Sequence, residues 1–95
     1  MHIQQRQEGT KGAFYVNEAD EDLALMTYSM AAPDLMIVDH TEVSDILRGK
    51  NIGYQLVSHA VEYARNNQIK IIPLCPFTKA VFVKKADEYA DVLKK

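Results

Sequence analysis

Between residues 35 and 74 the hydrophobic period of the chain changes twice, and that change limits the folds open to it. LMIVDHTEV, Leu35–Val43, starts as a continuous apolar patch and turns mixed at its end, as a strand does when it leaves a core for a rim. Residues 51–67 then place Ile52, Leu56, Val57, Ala60, Val61 and Ala64 at helical spacing on one side, with Gln55, Ser58, His59, Glu62, Arg65 and Asn66 opposite. IKIIPL, residues 69–74, is β-rich again. Strand, helix and strand in this order make a parallel crossover unit. Pro73 cannot donate to a sheet ladder, so the second strand is expected to end, bulge or lie unpaired there.

The first half reads as strands joined by turns. Residues 2–6 form a weak strand ending at Glu8, Gly9 and Gly12 bracket a turn, 13–16 are a short apolar run, and 17–22 a polar hairpin loop. LALMTYSM, residues 23–30, is bounded by turn signals and too short for a typical helix, which favours a strand. After the crossover helix, Asn67 is expected to take the left-handed conformation that ends it. Pro76 suits the first turn of a second helix running to Lys84, and residues 87–93 one more turn or two. The expectation is one α/β (α+β) domain over residues 1–95, a mostly antiparallel mixed sheet with one parallel strand-helix-strand unit and a C-terminal helix.

Charge narrows the partners. The net charge is −2 and the hydrophobic fraction 47%, so the chain should fold around a real core and carries no broad electrostatic surface for nucleic acid or an anionic membrane. Any basic site must be local. Cys75 is the only cysteine, which excludes an internal disulfide and fits a reducing compartment. One cysteine and three histidines give no metal-ligand spacing. MHIQQRQEG has no apolar signal core, and no apolar run approaches the roughly 18 residues of a membrane span. A cytoplasmic protein is expected.

The local basic feature is RGKNIG, residues 48–53, between a strand end and a helix start. Unpartnered amides and the helix dipole favour an anion at such a junction, and Arg48 and Lys50 add charge. The pattern is neither a Walker loop nor a three-glycine dinucleotide fingerprint. On local physics alone it is either a phosphate cradle or a plain glycine turn with solvated cations. Gly53, inside the helix, implies the close approach of a strand or a ligand.

HTEV at 40–43, the spacer SDIL, RGKNIG, a helix and IIPLCPF at 71–77 follow one another in an order and spacing that resemble the small stand-alone branch of the GNAT superfamily of N-acetyltransferases. The likeness covers residues 35–93. It implies a minimal GNAT-like fold and a site for acetyl-CoA, with an amine as the acceptor. The family's pyrophosphate loop falls on Arg48, Gly49, Lys50, Asn51, Ile52 and Gly53, and the pantetheine arm along Thr41 and Val43. Asn51 stands where the family prefers glycine, though asparagine tolerates left-handed backbone. Val81 or Phe82 stands where many family members carry a tyrosine that protonates the departing thiolate. The helices that usually shape the acceptor pocket are missing.

Acetyl transfer to an amine needs a nucleophile relieved of its proton, and a donor for the developing oxyanion. His40 and Glu42 alternate along one strand and share a face, so either is a candidate base; the alternatives are a structural histidine and a solvated carboxylate. Cys75 precedes a helix, where thiol pKa values fall, and the resemblance puts a cysteine near the coenzyme sulfur, so it is a candidate acetyl carrier; the alternative is a buried small hydrophobe. The rival reading of the whole is a non-catalytic acyl-CoA-binding or regulatory module.

Overall fold

Side chains alternate in exposure along the strands of the computed structural model, which describes residues 2–94. Phe14, Val16, Ala24, Met26, Tyr28, Met36 and Val38 are buried, while Tyr15, Leu25, Thr27 and Ile37 between them are half-buried. This period of two sorts the sheet into a core face and an open face. The strands are β1 (Gln4–Glu8), β2 (Lys11–Glu18), β3 (Glu21–Ala32), β4 (Leu35–Val43) and β5 (Lys70–Pro73), in spatial order β1-β2-β3-β4-β5. β1 to β4 are antiparallel neighbours, and β5 lies parallel to β4. The polar connection after β2 tightens to two residues, Ala19 and Asp20, with φ of 51° and 65°. Positive φ at both central positions matches the right-handed twist of a hairpin.

The crossover is α1 (Ile52–Asn66), followed by α2 (Pro76–Lys84) and the short α3 (Ala86–Tyr89). The apolar stripe of α1 joins Phe14, Met26, Met36, Val38, Ile71, Phe82, Tyr89 and Val92 in one core. Each such aliphatic side chain removed from water contributes about 1.5–3 kcal/mol. Asn67 ends α1 with φ −115°, not left-handed. Gln68 takes the positive φ, 54°, one residue later, because Asn67 is still held by hydrogen bonds to the Tyr63 and Ala64 carbonyls.

β5 ends at Pro73, where the missing amide breaks the ladder. Its outer edge is covered by the chain's end. After α3, residues 90–92 continue as a turn in which Val92 N and Leu93 N both donate to Tyr89 O, and Leu93 then forms a parallel bridge to Ile71: Ile71 N donates to Val92 O at 2.6 Å and Lys94 N to Ile71 O at 2.9 Å. Buried Val92 holds this segment from below, and Arg65 of α1 from above, its guanidinium on both Asp91 oxygens at 2.7 and 2.9 Å and on Glu88 O at 3.0 Å. One bridge, Ile71 to Leu93, thereby covers part of the exposed edge of β5. Among the described residues no helix is long and apolar enough to cross a membrane.

Candidate functional site

β4 and β5 part company at Val38. β5 pairs with β4 only from Leu35 to Val38, and Leu74 N and Cys75 N both donate to Val38 O, at 3.0 and 3.1 Å. β4 continues to Val43 while the other chain turns into α2. Asp39 is an extra residue in β4, unpaired between Tyr28↔Val38 and Thr27↔His40. Such a bulge re-aims the side chains that follow. Thr41 pairs with the core-facing Met26, and His40 with Thr27 of the open face, so the rim of β4 presents different chemistry on its two sides.

On the core side, Cys75 caps α2 in an extended conformation and its carbonyl accepts from Lys79 N at 2.9 Å. Cys75 is 5% exposed, and its thiol donates to Thr41 Oγ1 at 3.4 Å. Pro76, at the first position of α2, has no amide to offer. Burial pushes the Cys75 thiol up; Thr41, the amides of Thr78 and Phe77 and the Thr78 hydroxyl together outweigh it and bring the thiol below its ordinary value. On the open face, His40 Nε2 and Glu42 Oε1 lie 3.2 Å apart, both well exposed. The candidate base and the candidate nucleophile therefore occupy opposite faces of one strand.

RGKNIG is reached through a 3₁₀ turn over Asp45–Leu47, capped by the Ser44 hydroxyl, which accepts from Ile46 N at 3.3 Å. Leu47, 3% exposed, anchors the turn in the core. Arg48 pairs with Asp45 at 2.8 Å in full exposure, an ion pair that water and salt weaken. Arg48 N donates to Asp45 O and Lys50 N to Leu47 O. The amides of Gly49, Asn51, Ile52, Gly53 and Tyr54 have no acceptor among the described residues. Gly49 at φ 82° and Asn51 at φ 58° turn the backbone so that these donors precede and open α1. Asparagine adopts this conformation at smaller cost than most residues, so the loop keeps its shape at Asn51 without glycine.

A cleft of about 380 Å³ opens beside these amides. Its walls are Thr41 and Val43 of β4, Leu47, Arg48, Gly49, Asn51, Ile52 and Gly53, closed by Tyr54 and Phe77. Of the positions predicted for the coenzyme only Lys50 is outside the lining; its carbonyl instead accepts from Gln55 Nε2 at 3.1 Å. Cys75 reaches the cleft through Thr41. Wider clefts beside Tyr63 and beside Ser44, about 550 and 430 Å³, are lined by neither the amides nor the thiol, so volume does not choose the site.

Gly53 admits a side chain: a Cβ there would lie 2.7 Å from Phe77 Cζ. The ring of α2 rests on the first turn of α1 and walls the cleft. Val81 and Phe82, the positions matched to a family tyrosine, are buried in the core and carry no proton to donate. Tyr54 and Phe77 were not legible as site residues. Nothing local in the sequence marks either, because Phe77 reaches the first turn of α1 by a contact between helices separated by a strand.

The sequence profile described as GCN5-related N-acetyl-transferase matches residues 13–92. A GCN5-like protein from Staphylococcus aureus, solved by NMR, is 37% identical, with a TM-score of 0.71 over 96% of this chain and 87% of that one. A ribosomal-protein-alanine N-acetyltransferase from Brucella melitensis shares the fold at 17% identity, TM-score 0.63, over 82% of this chain and 64% of that one. A GNAT family acetyltransferase from Elizabethkingia anophelis, crystallised with acetyl-CoA bound, shares it at 12% identity, TM-score 0.60, over 81% and 53%. No curated protein matches the sequence. The mixed sheet, the crossover onto an amide-lined turn and the profile match agree: the chain belongs to the GCN5-related N-acetyl-transferase family, whose general chemistry is acetyl transfer to amines.

Proposed function

We propose that this chain, acting as a single domain, binds acetyl-CoA and moves its acetyl group to an amine. The observation that carries the proposal is the set of unpartnered amides at Gly49 and at residues 51–54, beside a cleft walled by Thr41 and Val43. Oriented donors at a helix start are complementary to a diphosphate and cost no reorganisation when it arrives. These residues fit the coenzyme: Gly49, Asn51, Ile52 and Gly53 hold its diphosphate with main-chain N–H groups, Arg48 adds an exposed cation, and Thr41 and Val43 line the path of the arm. Bound acetyl-CoA supplies an activated acyl carbonyl.

Cys75 is the nucleophile of choice on the core side, since its thiol ionises more readily than a free cysteine and lies against a wall of the cleft. His40, 3.2 Å from Glu42, lies on the face of β4 opposite the thiol, so its part is limited to taking the proton of an amine before that amine reaches the acyl group on the core side. A second reading, a binding module without turnover, is favoured by one observation: Val81 and Phe82 offer no acid for a departing thiolate. Incubation with acetyl-CoA followed by intact-mass and peptide analysis separates the two. Acetylation at Cys75 that an added amine discharges supports the enzyme, whereas saturable binding with no acetyl transfer to any residue or amine supports the module.

A further inference from the structure

Only two side-chain polar atoms among the described residues are buried without a hydrogen-bond partner: the hydroxyls of Thr78 and Tyr89. Thr78 is 1% exposed. A native fold rarely leaves such a group idle, and when it does the position calls for an explanation. Thr78 is the third residue of α2, counted from the helix cap Cys75. A helix cap and the third residue after it are close enough to exchange hydrogen bonds, and the Thr78 hydroxyl is among the groups that hold the Cys75 thiol below its ordinary value. The Thr78 hydroxyl makes no hydrogen bond to the resting thiol, which is a weak acceptor, whereas a thiolate is a strong one. The groups facing the sulfur are neutral: Thr41 from β4, and the Phe77 and Thr78 amides and the Thr78 hydroxyl from α2. The titratable pair His40 and Glu42 is on the other face of β4.

We propose that Thr78 is a positioning residue for Cys75, its hydroxyl a reserved donor that holds the sulfur once the thiol has lost its proton. The thiol proton leaves to solvent or to the incoming base; Thr78 keeps its own proton and donates only a hydrogen bond. With Thr41 on the opposite side, the thiolate sits between two hydroxyls in one orientation. The inference rests on the reading of Cys75 as nucleophile, yet it concerns the resting protein and is measurable without coenzyme.

The test is a pH titration of the Cys75 Cβ resonance in protein labelled with ¹³C-cysteine, where a single cysteine gives a single signal. Thr78→Val keeps the volume and removes the hydroxyl; it is expected to raise the ionisation midpoint by about one unit while the thermal midpoint stays level or rises, and Thr78→Ser is expected to restore the titration. An unchanged midpoint in Thr78→Val, or a failure of Thr78→Ser to restore it, overturns the proposal. Should Thr78→Val not fold, Thr78→Ala carries the same expectation, and collapse of both shows that the hydroxyl has a structural task and refutes the inference. Acetyl-CoA binding in wild type, followed separately, reports on the proposed function: a shifted midpoint without binding sinks that reading alone, and binding without a shifted midpoint sinks this one alone.

Discussion

Replacing Gly53 by alanine sets two quantities against each other. Alanine is favoured over glycine in a helix by about 1 kcal/mol, so Gly53→Ala ought to stabilise α1. The new Cβ, however, would lie 2.7 and 2.9 Å from Phe77 Cζ and Cε2, about 1 Å inside the optimal carbon–carbon separation. Phe77 is 42% exposed, so its ring yields by swinging off its rotamer, at about 0.5–1.5 kcal/mol. The two effects cancel to within about 1 kcal/mol in wild type, whereas in a Phe77→Ala background the helix gain remains whole. Urea denaturation of the four proteins closes the cycle. The expected coupling is about 1 kcal/mol, equivalent to roughly 4–8 °C in thermal midpoint for a domain of this size. Strictly additive effects would show that the ring does not rest on Gly53, and the account of the cleft wall would be wrong.

Gly49→Ala is expected to lose about 1–2 kcal/mol through backbone conformation alone, since its φ is 82° and a Cβ there meets nothing within 4 Å; Asn51→Gly, at φ 58°, is expected to leave chemical stability level or slightly higher in the same denaturation assay. Acid sensitivity is expected to depend on Arg65: hydrogen bonds from its guanidinium hold the Asp91 carboxyl below the ordinary 3.8. As pH falls the unfolded chain binds that proton first, so this contribution is present above 3.8 and is lost on descent through the lower, folded value. Arg65→Met should flatten the decline in urea midpoint below about pH 4, and an unchanged slope would remove Asp91 from the account.

How far the fold could be read in advance follows from where the information lies. The period of 3.6 through Ile52, Leu56, Ala60 and Ala64 and the apolar start LMIV are local patterns, and α1, β4 and α2 came out within a residue of their expected limits. The crossover followed from their order. Residues 87–93 yield one of the helical turns that their local pattern suggests, α3; what stops it there is a distant edge, Ile71, whose amide and carbonyl bond Val92 and Lys94, together with Arg65 reaching Asp91. The left-handed residue after α1 is Gln68 rather than Asn67, since hydrogen bonds within the last turn decide it. In the site, the chain-local loop 48–53 was legible because glycines and cations stand together in sequence. Phe77 on Gly53, Thr41 against Cys75 and the bulge at Asp39, which turns His40 to the face away from Cys75, depend on tertiary pairing that no window of sequence contains.

The account stands on main-chain donors that the fold leaves without acceptors, and a titration of ¹⁵N-labelled protein with coenzyme A reads them directly. Saturable amide shifts greatest at Gly49 and residues 51–54, with smaller ones at Thr41 and Val43, are the result it requires. Saturating ligand that leaves those amides in place, or moves only residues around another cleft, would contradict it.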